Sequence, residues 1–306
     1  VTNRSIRDLF VNGSVQKIGY LSLMRIIKEY QTGFPAIRGY QFCRELHKDL
    51  RTKFYLTSIM EDNQIAIKLF TSGVRGLPRY QEYTRFCTRS IPIRSKPRKV
   101  KRPSSFSISK CSVNDKKILI TFLNEYGKNH QFYPNWTIDT LFHHDYTPGL
   151  KESDMLIARK KDKIVGCMAM WDQRDFRQTI VRGYPNGLSR VTWLVNSTAR
   201  IFGYPQLPRT NAELKSCFIS HVAIEGNDPE IFKMLLIHCH NTLIESEVEY
   251  MVVGFSDFHP FNNNVTSIFY NVPTYSHIYL VSWEEDGIDP LGMIDNRLPG
   301  IEVAIL

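Results

Sequence analysis

The chain has 306 residues, enough for one large domain or two of ordinary size, because domains commonly hold ~100–200 residues. Hydrophobic residues make up 42% and charged residues 23%, which excludes a disordered chain, and no run approaches the ~18 consecutive apolar residues of a membrane-spanning helix. The net charge of +9 leaves acidic partners open, namely nucleic acid, an anionic membrane or a phosphate-rich cofactor.

The cysteines and histidines do not follow the patterns of a disulfide framework or a metal centre. Six cysteines are scattered without a CxxC pair, which favours reduced thiols in a cytoplasmic protein. The first residues are polar and lack the apolar core of a secretion signal. His143-His144-Asp145 has no third ligand at useful spacing, and His238 and His240 lie two apart on a predicted helix, so no metal site is expected.

The sharpest change of composition lies between Arg94 and Pro103, where six of ten residues are basic and two are proline. Such a stretch cannot join a hydrophobic core, and proline blocks regular hydrogen-bonded structure. We therefore interpret 94–105 as a basic linker between a shorter unit at 1–93 and a longer one at 106–306. A nucleic-acid-binding arm is the alternative. The run has no interleaved aromatic residues, and the rest of the chain carries only about +3, so a nucleic-acid partner is not favoured.

The first unit alternates strands and helices. Asn12-Gly13 predicts a tight hairpin turn, because both residues tolerate positive φ. Apolar residues at helical spacing then predict a long helix, and Glu61-Asp62-Asn63 predicts the cap of a shorter one. In chain order the predicted elements are strand Arg7–Val11, strand Gln16–Ile26, helix Ala36–Leu50, strand Phe54–Met60, the helix capped by Glu61-Asp62-Asn63 and strand Thr84–Ile93.

The second unit repeats this order. Lys161-Asp162-Lys163 predicts a hinge between two strands, and Glu225–Pro229 predicts a loop before an amphipathic helix. The predicted elements are helix Asp115–Tyr126, strands Met155–Arg159 and Ile164–Asp172, strand Ser216–Ile224, helix Glu230–Glu245 and strands Tyr250–Phe255 and Tyr275–Trp283. Each half therefore shows strand, loop, long helix, strand, short helix and strand.

This order, with the residues that carry it, resembles the core of the GNAT (N-acetyltransferase) superfamily. In the first half Tyr20-Leu-Ser-Leu-Met-Arg-Ile26 is similar to the family's fourth strand, and 28–38 lies where its pyrophosphate loop would be. Glu61–Phe70 is similar to a later motif, in which Ala follows Asn by three residues. In the second half Asp154–Trp171 resembles the second and third strands, and Cys217–Leu243 resembles the fourth strand, loop and helix. The chain thus looks like tandem GNAT-like repeats, the first truncated at its N-terminus.

The resemblance implies an α+β fold of two GNAT-like domains, each a mixed, mostly antiparallel sheet flanked by helices, with a splayed acyl-CoA wedge. It implies an acyl-CoA-dependent N-acyltransferase in which an amine attacks the thioester of acetyl-CoA or another acyl-CoA directly. The acceptor would be a small-molecule or peptide amine, no membrane partner is implied, and a homodimer stays open. The alternative is a non-catalytic acyl-CoA or metabolite-binding protein of the same fold.

The two predicted loops differ in how well they suit a pyrophosphate. Tyr30–Ala36 keeps a Gln and a Gly, whereas Glu225–Glu230 brings three carboxylates that would repel an anion, so the first repeat is favoured if only one binds the cofactor. The resemblance implies cofactor contacts at Met24, Arg25, Ile26, Gly33, Ala36, Ile37, Arg38 and Asn63 in the first half, and at Val222, Ile224, Gly226 and Asn227 in the second.

The candidate catalytic residues lie in the second repeat. Where the family often has a tyrosine that protonates the leaving thiolate, the first repeat has Phe70, which cannot donate, and the second has Tyr270 at the matching offset. His221, on the predicted fourth strand, is the candidate general base and Glu225 is the next. A lone strand histidine also fits a purely structural role. Arg174, Arg177 and Arg182 lie in an insertion, 173–213, that is expected to set substrate choice.

Overall fold

Strands and helices follow one another along the whole chain. The computed structural model describes residues 1–27, 29, 35–99, 105–142, 146–184 and 186–306. The strands are β1 (Asn3–Val11), β2 (Ser14–Ser22), β3 (Tyr55–Met60), β4 (Arg79–Pro92), β5 (Ser107–Lys110), β6 (His130–Gln131), β7 (Met155–Lys160), β8 (Lys163–Trp171), β9 (Ser216–Ile224), β10 (Tyr250–Ser256), β11 (Val272–Ser282) and β12 (Leu298–Pro299). The helices are α1 (Pro35–His47), α2 (Gln64–Thr71), α3 (Lys116–Gly127), α4 (Ile138–Phe142), α5 (Asn186–Phe202), α6 (Pro229–Leu243), α7 (Phe261–Ile268) and α8 (Pro290–Met293).

Ten of these strands form one continuous sheet in the order β1-β2-β3-β11-β4-β10-β9-β8-β7-β5. Within this described sheet, β2 with β3 and β9 with β10 pair in parallel, and the other neighbours pair antiparallel. The predicted mixed, mostly antiparallel sheet flanked by helices is therefore confirmed. No helix in the described ranges is both long and apolar enough to span a lipid bilayer.

Both parallel pairs separate after a few residues. β2 and β3 pair only from Gly19 to Tyr20, and β9 and β10 pair from Ser216 to Phe218. Three residues beyond each last pair, a non-glycine residue takes a positive φ: Leu23 at 57° and His221 at 52°. Such a residue bends a strand out of the ladder, so each strand turns away from its parallel neighbour. We call the opening between β2 and β3 the first wedge and that between β9 and β10 the second wedge.

One strand of the second half lies within the sheet of the first half. β11 pairs antiparallel with β3 on one side and with β4 on the other, while β4 also pairs with β10. The two halves therefore share one hydrogen-bonded sheet. The boundaries 1–93, 94–105 and 106–306, and the tandem arrangement with a truncated first repeat, stay predictions.

Apolar side chains on both sheet faces hold the helices in place. α6 packs on β8 through Ile231 and Leu235, and α3 packs on the opposite face through Leu119 and Leu123. α1 covers the first half, where Tyr40 joins a cluster with Tyr55, Tyr279 and Trp283. The first half of the linker lies along α6, because Arg98 N donates to Asn241 Oδ1 at 2.9 Å.

Two of the differences between the predicted elements and the structure lie in the first wedge and in the insertion. The strand predicted to reach Ile26 ends at Ser22, because the positive φ of Leu23 breaks the ladder there. The insertion 173–213 contains α5, a helix that the sequence analysis did not predict. Its apolar residues are largely exposed, including Trp193 at 69% and Ile201 at 78%, so this helix contributes little to the core.

Candidate functional site

The first wedge contains a cavity of about 230 Å³. Main-chain residues of β2 and its continuation form one wall, β3 forms the other, and side chains of α1, α2 and β4 close the back. Its lining residues are Thr2, Leu21, Ser22, Leu23, Met24, Arg25, Tyr40, Thr57, Ser58, Ile59, Met60, Asn63, Ala66, Phe70 and Tyr80. Three residues predicted to contact the cofactor, Met24, Arg25 and Asn63, therefore meet at one cavity.

The backbone beyond β2 lines this cavity. Arg25 N donates to Val1 O at 2.8 Å, so the peptide groups of Arg25 face β1. Met24, the residue before it, lines the cavity. At the narrow end, Thr57 Oγ1 donates to Leu21 O at 2.8 Å and bridges the two strands. The wedge thus has a closed end and an open end with an accessible strand edge.

Three aromatic side chains line the back of the cavity. The rings of Phe70 and Tyr80 stack with centroids 5.0 Å apart, and the hydroxyls of Tyr80 and Tyr40 are hydrogen-bonded to each other. Burial raises the pKa of Tyr40 to about 12 and that of Tyr80 well above its ordinary value, so both phenols stay neutral. Phe70 was predicted to be unable to donate a proton. Tyr40 and Tyr80 were not predicted as residues of the site. In the sequence Tyr40 occupies an apolar position of the predicted helix, and Tyr80 precedes the predicted strand.

Ala36, Ile37 and Arg38 lie at the start of α1, and Gly33 lies outside the described residues. Ala36 is buried and Arg38 is exposed, and the first turn of α1 has no acidic residue. Unpaired N–H groups at a helix N-terminus attract anions. Asn63 caps α2, as predicted, because its Oδ1 accepts from Ala66 N at 3.2 Å. Ile26 lies beyond the bend at Leu23.

The second wedge is filled by the chain's own residues 299–303. Glu302, which is 7% exposed, accepts from His221 N at 2.6 Å and from Ala304 N at 3.2 Å. Val303 lies so close to β10 that a Cβ on Gly254 would stand 2.7 Å from its Cγ2. The cleft that is left, beside Val222, measures about 30 Å³, roughly the volume of one water molecule.

His221 lies in the core, beside this filled wedge. It is fully buried, its ring centroid lies 4.6 Å from that of Trp136, and Nδ1 shares a hydrogen bond with Ser220 Oγ at 2.8 Å. Burial, and secondarily the charge of Arg7, lower the pKa of His221 to about 3. The imidazole is therefore neutral and weakly basic at neutral pH.

The other two candidate catalytic residues lie on the surface. Glu225 forms a salt bridge with Lys163, with an Nζ–Oε1 distance of 2.6 Å. Tyr270 is 68% exposed, and its ring lies edge-on to Tyr204 with centroids 6.5 Å apart. The structure therefore gives His221, Glu225 and Tyr270 separate surroundings: a core pocket, a surface salt bridge and an exposed aromatic contact.

The carboxylate of Asp228 occupies the start of α6. Asp228 caps the helix and accepts from Glu230 N at 2.8 Å and Ile231 N at 3.3 Å, so these N–H groups are satisfied. Before it, Gly226 and Asn227 form a tight turn with φ of 61° and 52°, and Ile224 is buried. A cavity of about 630 Å³ adjoins Gly226, and its charged lining residues are Glu125, Asp162, Lys163 and Glu225. This excess of carboxylates disfavours a pyrophosphate.

The arginines of the insertion have partners within the described chain. Arg174 pairs with Asp172 at 2.7 Å, and Arg182 donates to Asn211 Oδ1 at 3.0 Å. Arg177 lies over a phenylalanine ring of β9. The described residues contain no group of three or more His, Cys, Asp or Glu side chains that could hold a metal ion, and His143-His144-Asp145 lies outside them.

No protein-family model and no curated protein matches the sequence. Several solved structures share its fold. A GCN5-related N-acetyltransferase from Sphaerobacter thermophilus is 9% identical with a TM-score of 0.58. The match covers 91% of this chain and 76% of that protein's chain. A GCN5-related glucosamine N-acetyltransferase region of a fungal multi-domain β-N-acetylglucosaminidase is 12% identical with a TM-score of 0.56, covering 91% and 31%. One from Anabaena variabilis is 10% identical with a TM-score of 0.50, covering 91% and 58%. The chain therefore has the predicted GNAT-like fold.

Proposed function

We propose that the chain is an acyl-CoA-dependent N-acyltransferase that binds acetyl-CoA or another acyl-CoA in the first wedge. One observation carries this choice of site: the first wedge holds a cavity of about 230 Å³, whereas residues 299–303 fill the second. The solved structures of this fold are named as N-acetyltransferases, which supports the class of reaction.

The first wedge suits an extended amide chain followed by a pyrophosphate. Met24 lines the opening beyond the end of the β2–β3 pairing, where a pantetheine arm can pair with the backbone as an added strand does. The start of α1, at Ala36, Ile37 and Arg38, offers backbone N–H groups and a cation, with Gly33 before it in the sequence. α1 has no capping carboxylate in its first turn, in contrast to Asp228 at the start of α6.

Bound acyl-CoA would supply the activated acyl group as a thioester. The residues of the chain contribute orientation and charge stabilisation. Tyr80, held by its hydrogen bond to Tyr40, presents a neutral phenol in a buried cavity, where it can donate a hydrogen bond to negative charge that develops on a departing sulfur. Phe70 fixes the Tyr80 ring by stacking. We therefore assign to Tyr80 the role that the resemblance gives to a tyrosine at the position of Phe70.

The acceptor is proposed to be a small-molecule or peptide amine. No histidine or carboxylate occurs among the described residues that line the first wedge, so the attacking amine would lose its proton to solvent. The same observation favours the second candidate function, a protein that binds acyl-CoA without transferring the acyl group. Turnover distinguishes the two.

A site in the second wedge, with Tyr270, His221 and Glu225 as catalytic residues, stays a separate prediction. It would require residues 299–303 to leave the wedge. Binding at its loop would place a pyrophosphate beside Asp228, whose carboxylate already occupies the start of α6.

Matched substitutions in the two short helices test the site. Ala66 lines the first wedge, and Thr266 occupies the corresponding position of α7, because each follows its motif asparagine by three residues. We expect acetyl-CoA to bind the wild-type chain in calorimetry. Ala66→Glu should lower that affinity by about tenfold or more, because it fills the cavity with a charge, and Thr266→Glu should leave it unchanged.

Each result of this pair has a definite meaning. Equal affinities for both variants and the wild type would exclude the first wedge, and a loss only with Thr266→Glu would move the site to the second. If neither acetyl-CoA, longer acyl-CoAs nor free CoA binds, both candidate functions are wrong. Release of free thiol from acetyl-CoA across a panel of amines supports the transferase. Binding without release across that panel supports the binding protein.

A further inference from the structure

A cavity of about 190 Å³ lies between the edge strand β1 and the segment after β6. Two main-chain contacts fix its walls to each other: Asn135 N donates to Asp8 O at 2.9 Å, and Leu9 forms an isolated β-bridge with Pro134. In the described part of the chain it shares no lining residue with the first wedge. The cavity is thus a preformed feature apart from the proposed acyl-CoA site.

The charges around this cavity are unbalanced. Arg7, Lys17 and Arg51 line it together with a single carboxylate, Asp8. Lys17 and Asp8 form an exposed ion pair with an N–O distance of 3.5 Å. Among the described residues, the guanidinium groups of Arg7 and Arg51 have no carboxylate partner. The cavity therefore has an excess of two positive charges.

Arg7 is the more informative of these two cations, because it is partly buried. Burial lowers its pKa, because the guanidinium has lost hydration and gains no counter-ion from the described residues. Such a group destabilises a fold unless an anion pairs with it. Among the described residues, the titratable groups that its charge reaches are Tyr146 and His221, and neither supplies that anion.

The lining also includes an exposed aromatic side chain. Tyr146 lines the cavity and is 47% exposed. Trp136, which is only 2% exposed, belongs to the wall, and its ring lies against His221 with centroids 4.6 Å apart. Asn124 fixes the Trp136 backbone through hydrogen bonds to both its N–H, at 2.9 Å, and its carbonyl oxygen, at 2.7 Å. A rigid wall, an accessible aromatic ring and a partly buried cation thus line the same cavity.

We propose that this cavity binds a small organic carboxylate, with its carboxyl group on Arg7 and its apolar or aromatic body against Tyr146. A planar guanidinium matches a carboxylate with two parallel hydrogen bonds, which a single ammonium group cannot do. The volume equals that of about six water molecules, which suits a single ring or a short aliphatic chain. Arg51 is exposed and lines the same cavity, so its positive charge attracts the carboxylate over a few ångströms.

Benzoate is the probe, with inorganic phosphate as the comparison anion. We expect benzoate to raise the unfolding temperature of the wild-type chain and to bind in calorimetry, more tightly than phosphate. Arg7→Gln should lower benzoate affinity by about tenfold or more. Lys233→Gln, which removes an equal charge from the exposed face of α6, should leave it unchanged. Tyr146→Leu should also weaken benzoate binding, with little effect on phosphate.

A measurement without ligand separates binding from a structural role. If Arg7 serves an absent anion, Arg7→Gln should unfold at the wild-type temperature or above it, because an uncompensated charge has been removed. A clear loss of stability in Arg7→Gln would show that Arg7 has a structural partner and would overturn the proposal. So would the absence of benzoate binding to the wild-type chain, benzoate affinity that Arg7→Gln leaves unchanged, or phosphate binding more tightly than benzoate.

Discussion

Tyr80, from the strand that follows α2, lies beside the motif position and is proposed to take the motif residue's role. Phe70 stands at the motif position but has no hydroxyl, and the Tyr80 ring stacks on it from β4. Tyr40 of α1 bonds the Tyr80 hydroxyl, so that group is held in place and kept inside the cavity. The phenol therefore reaches the wedge through packing and not through local sequence.

Tyr80→Phe tests this role by removing one oxygen atom. If the proposed transferase reaction occurs in the first wedge, kcat should fall on the order of 10²-fold, because a hydrogen bond to the developing thiolate is lost. KM for acetyl-CoA should change little, since the ring and its stacking remain. Steady-state kinetics with free-thiol detection measures both quantities.

Two tyrosines serve as controls for this substitution. Tyr83→Phe alters a residue of the same strand that does not line the first wedge, and it should leave kcat unchanged. Tyr270→Phe removes the hydroxyl that the sequence analysis favoured. A fall in kcat with Tyr270→Phe and none with Tyr80→Phe would contradict the assignment and favour the second wedge.

At the scale of elements, close packing of α6 on β8 depends on a single missing side chain. A Cβ on Gly166 would stand 2.7 Å from Ile231 Cγ2 and 3.2 Å from Leu235 Cδ1. The Ile231 methyl is attached at the branched β-carbon of a helical residue, so it cannot rotate away freely. The approach of helix to sheet, and with it the end of β9 and the start of α6, therefore depends on glycine at 166.

Gly166→Ala should lower the free energy of unfolding by roughly 1–3 kcal/mol, the usual effect of an added methyl group in a filled core. Denaturant titration measures the change. Gly39→Ala in α1 is the control, because a Cβ at that position would meet no atom of another element within 4 Å, and it should be neutral or stabilising by up to ~1 kcal/mol. In an Ile231→Ala background the Gly166→Ala effect should shrink. An undiminished effect would show that another contact is responsible.

Local sequence pattern was sufficient to predict strands and helices, but it was insufficient to predict how the strands pair in the sheet. β9 was predicted with the observed ends, Ser216–Ile224, and Asn63 was predicted as a helix cap, because periodicity and capping depend on neighbours in the chain. The positive φ of Leu23 carries no sequence signal, since leucine rarely takes that conformation. The placement of β11 between β3 and β4 results from contacts between distant segments, which a single sequence does not display. The stacking of Tyr80 on Phe70 depends on the turn between α2 and β4, which local periodicity does not predict.

At the scale of the whole molecule, residues 299–306 join the two halves. Ile301 and Val303 pack with Leu9 and Phe54 of the first half, while Ala304 belongs to the core of the second. Between them Glu302 is buried, and its carboxyl group accepts two main-chain hydrogen bonds. The segment that fills the second wedge is therefore also a tie between the halves.

The buried carboxyl group makes this tie sensitive to pH. Burial raises the pKa of Glu302 from 4.5 to about 7, so the folded chain holds the proton more tightly than the unfolded chain does. The contribution to stability is full below pH ~4.5 and is lost as the pH rises through 7. His221, whose pKa burial lowers to about 3, acts in the opposite direction: its contribution is full above pH ~6.5 and is lost on acidification.

Glu302→Gln separates these two opposing effects, because it removes one titration and leaves the other. The variant carries a constant penalty for a buried amide, yet its stability relative to the wild type should improve as the pH rises from about 4.5 to 7, by up to about 3 kcal/mol. Urea unfolding at pH 5 and pH 8 measures the difference. Val303→Ala weakens the same segment without a titrating group, so its deficit should be the same at both values. A deficit of Glu302→Gln that does not change with pH would mean that Glu302 is ionised in the folded chain throughout this range.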